Sequence, residues 1–401
     1  MAIIYFAVYG AVAILLILLY IIGILYLMAF RVGYSMSCKK TQKRGGEYRN
    51  IGKVSVVLPI YNEETRMIKG TMDTLIKQHG VMIDLIVVIK HPRKGQIAML
   101  RSYGSQLHSL KIIMQRGKPS HNEAFIIGLR EARAPYSAIL CADAKIVDNA
   151  LPRMVDALRR TGKDVAFGSL YPETRGNLAG RSTGIAKIAR QNLSLMGRYA
   201  LGLGYFIPGA FAVYRTEFLR SEFRHLLANN FVMHDLGITL RLLVSNPDRA
   251  YFMREVVGTE LEKATLKGWL LQNMRWFMGT TALLGVYWAI LSRAKIKIKI
   301  GIMGMMLQWY VLPFALFAGL ILAPIGAALG NITFACWYIA SYAIMALIYL
   351  SLPDARKYGI GACIYNWLLE SIVKSLAVFA MAFGFAFAKY HTGKLYVLFK
   401  R

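Results

Sequence analysis

Gln272, Arg275 and Trp276 stand at the spacing Q-x-x-R-W, downstream of a His234-Asp235 pair and of Asp143, which follows an apolar run. An aspartate placed like Asp235 can take the proton of an attacking hydroxyl, and general-base help of that kind is worth roughly 10²–10⁴-fold. Arg275 can neutralise a departing diphosphate through paired N–H contacts. Trp276 can form a wall against a ring-shaped substrate. Asp143, at a strand end, can hold a hard divalent cation that in turn neutralises a pyrophosphate. Plainer readings stand beside these. Either aspartate can be a helix N-cap, Asp143 also a turn residue, and Arg275 with Trp276 can be an interfacial pair on an amphipathic helix. Lys118, in Arg116-Gly117-Lys118-Pro119, can meet a phosphate or simply be solvated. Singly these signals are weak; their order and setting carry more.

The elements that must position them alternate. Residues 53–59, 85–89, 111–114 and 137–141 read as short β-branched strands, and 64–78, 95–107 and 122–132 as helices between them. This alternation predicts a parallel-rich sheet with helices on both faces. Ligands of such sheets bind at the carboxyl ends of the strands. The loops Tyr61-Asn62-Glu63-Glu64 and Ala142-Asp143-Ala144-Lys145 are therefore expected to line a site. In residues 181–203, Arg181, Lys187, Arg190 and Arg198 recur among small and apolar residues at roughly helical spacing. This predicts an amphipathic helix, packed in the core or lying on a membrane. Residues 266–292 have the same character, with Trp269, Trp276, Tyr287 and Trp288 as interface anchors and Lys295, Lys297 and Lys299 marking a cytoplasmic edge.

Composition sets the surroundings. The 401-residue chain is 56% hydrophobic, too apolar for an ordinary soluble protein of this size. Residues 3–30 carry no charge, and a bilayer needs roughly 20 apolar residues; the run reads as an uncleaved anchor. Arg31, Lys39, Lys40, Lys43, Arg44 and Arg49 follow it, so the N-terminus is expected outside and residue 31 onward inside. Apolar stretches at 301–327, 331–352 and 371–388 bring the crossings to about four, with Asp354, Arg356 and Lys357 breaking the last two apart. Three crossings from the inside would leave the basic tail 391–401 outside, against the positive-inside tendency, unless residues 359–388 re-enter. The net charge of +28 is scattered among apolar segments rather than gathered on one soluble module. That favours anionic lipid head groups and anionic substrates as partners over nucleic acid. Cys38, Cys141, Cys336 and Cys363 have no paired spacing and read as reduced thiols without a zinc site. The expected units are an anchor (1–30), a basic linker (31–51), a cytosolic α/β domain (52–265), interface helices (266–299), and C-terminal membrane helices with a basic tail (300–401).

Residues 52–280 resemble the membrane-bound inverting glycosyltransferases of family 2, the group that contains cellulose synthase, hyaluronan synthase and ceramide glucosyltransferase. Pro59-Ile60-Tyr61-Asn62-Glu63 looks like the family's P-x-Y-N-E segment, which helps hold the nucleotide. Cys141-Ala142-Asp143 falls at its D-x-D, His234-Asp235 at its E-D, and Gln272, Arg275 and Trp276 match Q-x-x-R-W. Residues 122–151 and 391–396 look more like the ceramide glucosyltransferase branch. The resemblance implies a GT-A-type α/β nucleotide-sugar domain. It implies Asp235 as catalytic base, acting with Gln272, Arg275 and Trp276. Pro59, Tyr61, Glu63, Lys118, Asp143 and Lys145 would hold the nucleotide sugar, with Mn²⁺ or Mg²⁺ at Asp143, and His234 and Trp276 would face the acceptor. Two departures matter. Cys141 replaces the first aspartate of D-x-D, so Lys145 is expected to supply part of the missing phosphate neutralisation and metal dependence to be weaker. Ile89-Lys90-His91 stands where an aspartate usually reads the nucleobase.

Glu370 and Lys374 are the charges inside the last apolar segment, and that scarcity argues against a water-filled polymer channel. The expected reaction is therefore transfer of a hexose, mannose or glucose, from a GDP- or UDP-sugar to a lipid-carried acceptor at the cytosolic face. A polyprenyl-linked glycan or a lipid head group fits that acceptor. The alternatives are a processive polysaccharide synthase whose pore a partner completes, and a non-catalytic membrane scaffold, which the Cys141 replacement motivates.

Overall fold

The computed structural model describes residues 2–39, 51–116, 121–174, 176–228, 233–330 and 332–388. Eight strands form one mixed, mostly parallel sheet: β1 Lys53–Tyr61, β2 Met82–Lys90, β3 Ser109–Met114, β4 Tyr136–Leu140, β5 Ala144–Ile146, β6 Val165–Glu173, β7 Phe211–Arg215 and β8 Ala250–Leu261. Their order is β3-β2-β1-β4-β7-β6-β8-β5. β1 pairs in parallel with β2 and β4, while β7 runs antiparallel between β4 and β6. The chain reverses its direction of growth between β1 and β4, the kind of switch point where such sheets open a ligand crevice.

β1 is buried along Val54–Ile60 because both faces of the sheet are covered, so it reads as an unbroken apolar run. Val54, Val56 and Leu58 join one core with Met72, Leu100 and Met154, from helices Thr65–Leu75, Gln96–Ser102 and Ala150–Thr161. Val57 points the other way, into a core shared with Phe125, Phe223 and Leu236, from helices His121–Glu131, Thr216–Ala228 and His234–Ser245.

This second core continues without a break into apolar helices. Tyr20, Leu27, Phe30, Leu312, Tyr349 and Trp367 belong to it. Among the described residues, four helices are long and apolar enough to cross a membrane: Val8–Cys38, Ile296–Ala328, Ile332–Leu350 and Ile360–Phe379. The last begins earlier than the expected 371–388. Asn366, Glu370 and Lys374 lower the hydropathy of the helix's first half, yet Asn366 and Glu370 are buried and Glu370 bonds to both of the others, so the helix runs through them. The first helix is seated on the α/β region by two glycines. A side chain on Gly33 would strike the carbonyl of Gly197, and one on Gly197 the carbonyl of Phe30, so small residues permit this close crossing.

Residues 178–200 resolve the open choice between core and membrane surface. A helix Leu178–Ala189 runs into a π-helical stretch Arg190–Gly197, and Ser182 to Ala189 and Gln191 to Arg198 are buried. The segment is core-packed. A second π-helical stretch, Leu307–Val311, lies in the span Ile296–Ala328. Ser194 and Gln308 join the two through a buried side-chain hydrogen bond. Wide turns of this kind are rare and cluster at functional sites.

Candidate active site

A cavity of about 540 Å³ opens at the carboxyl ends of β1 and β4. Pro59, Tyr61 and Glu63 reach it from the end of β1. The chain turns there through Asn62 in the left-handed region (φ 55°), which asparagine tolerates. The Glu63 carboxylate accepts the Tyr61 backbone N–H. Two residues beyond β2 tie the loop down: Arg93 Nη2 donates to the Asn62 carbonyl at 2.9 Å, and buried Gln96 Nε2 donates to the Glu63 carbonyl at 2.8 Å. The sequence reading missed both. His91 sets its ring edge against Tyr61 at 5.8 Å between centroids.

Cys141, Ala142 and Asp143 line the cavity from the end of β4. Thr71 Oγ1 donates to the Ala142 carbonyl at 2.8 Å and fixes this turn. Burial and the neighbouring Asp143 carboxylate push the Cys141 thiol well up, so it stays protonated and is a poor metal ligand. Burial, with Glu260 adding to it and Lys263 opposing, pushes the Asp143 carboxyl up to about 6. No group of three or more His, Cys, Asp or Glu among the described residues is arranged to hold a metal ion. The donor set does not fit a metal caged by protein alone. It fits a hard divalent ion that arrives with a diphosphate, with Asp143 giving one carboxylate and the phosphates much of the remaining oxygen shell. Lys145 is not among the cavity-lining residues; its Nζ lies 2.7 Å from Glu173 Oε1. Lys118 lies outside the described residues, as do the side chains of Tyr287 and Trp288, the basic linker from 40 to 50 and the tail 391–401.

Asp235 lies in the first turn of helix His234–Ser245, and its Oδ1 accepts the Leu236 N–H at 2.8 Å. Met233 occupies the N-cap position, so Asp235 is not the cap. The carboxylate instead lines the cavity, at the positive end of the helix. His234 also lines the cavity. It is 5% exposed and stacks on Phe223 at 5.7 Å, and its Nε2 has no hydrogen-bond partner among the described residues. Burial pulls its pKa down, so the ring is neutral.

Gln272, Arg275 and Trp276 project into the same space from helix Leu266–Leu291, spaced three and four residues apart on one face. Arg190 lies over the Trp276 ring at 4.3 Å and over Trp309 at 5.8 Å. It has no carboxylate within ion-pair distance among the described residues. Lys187 is 5% exposed and pairs with Glu260 and, at 3.3 Å, with Glu262. Burial lowers its pKa, but the two carboxylates outweigh this and hold it above the ordinary lysine value. The cavity then reaches the long apolar helices, where Gln308, Tyr349, Glu370 and Lys374 line it. The helical spacing of Lys187 and Arg190 was legible in the sequence. That their face turns inward was not, because only the packing of this helix against β6 and the helices Leu266–Leu291 and Ile360–Ala388 sets it.

Residues 55–223 match the sequence profile described as Glycosyl transferase family 2. A dolichol-phosphate mannosyltransferase of Pyrococcus furiosus is 24% identical over 151 residues, which are 37% of this chain and 41% of the relative, so the chain spans well under two thirds of that protein. The glycosyltransferase GlyG of Streptococcus pneumoniae is 22% identical over 218 residues, 51% of this chain and 72% of the relative. Among solved structures, the mannosyltransferase PcManGT from Pyrobaculum calidifontis, in complex with GDP-Man and Mn²⁺, superposes with a TM-score of 0.60 at 19% identity, covering 92% of this chain and 99% of the other. Residues 55–223 are therefore similar to glycosyl transferase family 2 domains, and they lie within a GT-A-type sheet joined, among the described residues, to four helices long and apolar enough to cross a membrane.

Proposed function

We propose that this chain transfers a hexose, mannose before glucose, from a GDP- or UDP-sugar to a lipid-linked acceptor at the cytosolic membrane face, with inversion at the anomeric carbon. One observation carries the reading. A single cavity is lined both by strand-end residues such as Tyr61 and Asp143 and by membrane-helix residues such as Tyr349 and Lys374, with Asp235 and Trp276 also on its wall. A water-soluble donor and a membrane-held acceptor can meet there. The names of the Pyrococcus and Pyrobaculum proteins support mannose, and the latter's complex supports a GDP-linked donor and a divalent metal.

In this reaction the acceptor oxygen forms a bond to the anomeric carbon on the face opposite the nucleotide. The bond from that carbon to the diphosphate oxygen breaks, and the nucleotide leaves with the electron pair. Asp235 takes the acceptor proton. Arg275, carried on a helix face aimed at the cavity, meets the charge that grows on the diphosphate, where a preorganised cation is worth most. A divalent metal at Asp143 would supply further charge neutralisation to the same diphosphate. Trp276 forms the wall against the sugar, and Gln272, on the same face, orients it. Pro59, Tyr61 and Glu63 hold the nucleotide, and His234 faces the acceptor. The catalytic unit spans 52–265, flanked by the anchor 1–30, the linker 31–51, the interface helices 266–299 and the C-terminal region 300–401, with the N-terminus outside.

The test is a panel of radiolabelled nucleotide sugars given to the purified protein with lipid extract, with and without Mn²⁺ or Mg²⁺. Label passing from one donor into the organic phase supports the reading. A long water-soluble polymer would make the protein a processive synthase, and nucleotide binding without transfer would make it a scaffold.

A further inference from the structure

The membrane end of the cavity has a composition of its own. Gln191 comes from the first π-helical stretch, Gln308 and Trp309 from the second, Tyr349 from the span Ile332–Leu350, and Glu370 and Lys374 from the span Ile360–Phe379. Glu370 is 4% exposed, its Oε1 is 2.5 Å from Lys374 Nζ, and its Oε2 accepts from Asn366 Nδ2 at 3.3 Å. Ionisable groups inside membrane helices are costly and mark functional sites. This pair cancels its own charge, and the cation beside it, Arg190, lies over the Trp309 ring at 5.8 Å.

Two further polar groups here are buried without partners among the described residues, the acceptor Gln191 Oε1 and the donor Trp309 Nε1. Gln191 is 6% exposed. Each orphan costs a desolvation penalty unless a ligand meets it. A ligand that satisfies both must donate as well as accept. Hydroxyl groups do so; an ionised phosphate only accepts, and would leave the Gln191 carbonyl oxygen without a donor. Aromatic rings at 309 and 349 with a few placed polar groups suit a sugar or polyol face.

We propose that this end of the cavity is a subsite for the uncharged, hydroxyl-rich head group of the acceptor, so that the acceptor is a lipid already bearing a sugar rather than a bare polyprenyl phosphate. The inference rests on reading the cavity as the transfer site. Glu370 and Gln191 accept from the head-group hydroxyls and Trp309 Nε1 donates to them, which holds one hydroxyl free for attack.

The experiment gives the full-length protein in lipid nanodiscs labelled GDP-mannose and one of two acceptors, polyprenyl phosphate or a monoglucosylated lipid. The wild type is expected to use the glucosylated lipid with kcat/KM at least about tenfold higher, the scale of one hydrogen-bonded contact. Gln191→Leu and the double variant Glu370→Gln/Lys374→Met should raise the KM for that acceptor about tenfold, with the KM for GDP-mannose unchanged. Equal or better use of polyprenyl phosphate by the wild type overturns the subsite, and this comparison needs no variant to fold. Unchanged acceptor KM in folded variants overturns it too. Absence of transfer from every nucleotide sugar to either lipid and to a crude lipid extract overturns the transferase reading itself, a different failure.

Discussion

A Cβ on Gly209 would stand 2.7 Å from Oδ2 of Asp235. The bare backbone at 209 is therefore what lets the carboxylate sit in the cavity while its Oδ1 takes the Leu236 N–H. Gly209→Ala is expected to displace the carboxylate and lower kcat by on the order of 10²-fold, the loss that misplacement by about 1 Å can cause. Nucleotide binding should hold, because the strand-end residues are untouched. Turnover and calorimetric titration of nucleotide separate the two, and native turnover in the variant would remove Gly209 from this role.

Lys187 and Glu262 lie almost wholly out of water, and Glu260, the second partner of Lys187, is 21% exposed on the cavity wall. Removing the cation leaves two carboxylates facing each other in a poorly solvated place. Lys187→Met should destabilise the fold by about 3–5 kcal/mol, read as a lowered melting temperature in detergent. An unchanged melting curve would show that the pairs contribute little.

The Asp143 carboxyl is held up to about 6, chiefly by burial. A group raised in this way binds its proton more tightly than a free carboxyl, so the proton competes with a cation. Affinity for a nucleotide with Mn²⁺ should be flat above about pH 7 and fall as pH drops through 6, approaching tenfold per unit. Titrations with wild type and Asp143→Asn check this. The variant should bind more weakly at pH 7 and lose the slope, and an identical pH profile in both would contradict the assignment.

Arg190 and Trp276 are stacked at 4.3 Å, and partly desolvated pairs of this kind are worth about 0.5–2 kcal/mol. Arg190→Gln and Trp276→Ala should each lower kcat/KM, and the double variant should lose less than the sum, with a coupling of about 1 kcal/mol. Strict additivity would mean that the contact does not bear on transfer.

The parallel half of the sheet was legible because β1 to β4 are short apolar runs separated by helical patterns. β6, β7 and β8 were not read. β6 carries Gly168 and Pro172, and its pairing with β8 shifts register after Gly168. β8 mixes Arg254, Glu255 and Glu260 among its apolar residues; Glu260 faces the cavity and Glu255 pairs with Arg153. Such pairings link residues far apart in the chain, and no local period reports them. The strand-end loops, Asp235 and the Q-x-x-R-W helix were legible as motifs, and all reach one cavity. Arg93 and Gln96 were not, since their work is to bind loop carbonyls from a neighbouring turn. Glu370 and Lys374 read as a sparse pair of charges in an apolar helix. Only packing places them on the cavity wall.

The central claim is that Asp235 removes the acceptor's proton in a transfer of sugar to lipid. The most direct test measures label passing from a nucleotide sugar into the organic phase for wild type and Asp235→Asn side by side, with nucleotide affinity measured on the same preparations. The account predicts transfer by the wild type, a loss of roughly 10²–10⁴-fold or more in the variant, and equal affinities. Transfer by Asp235→Asn at the wild-type rate would contradict it.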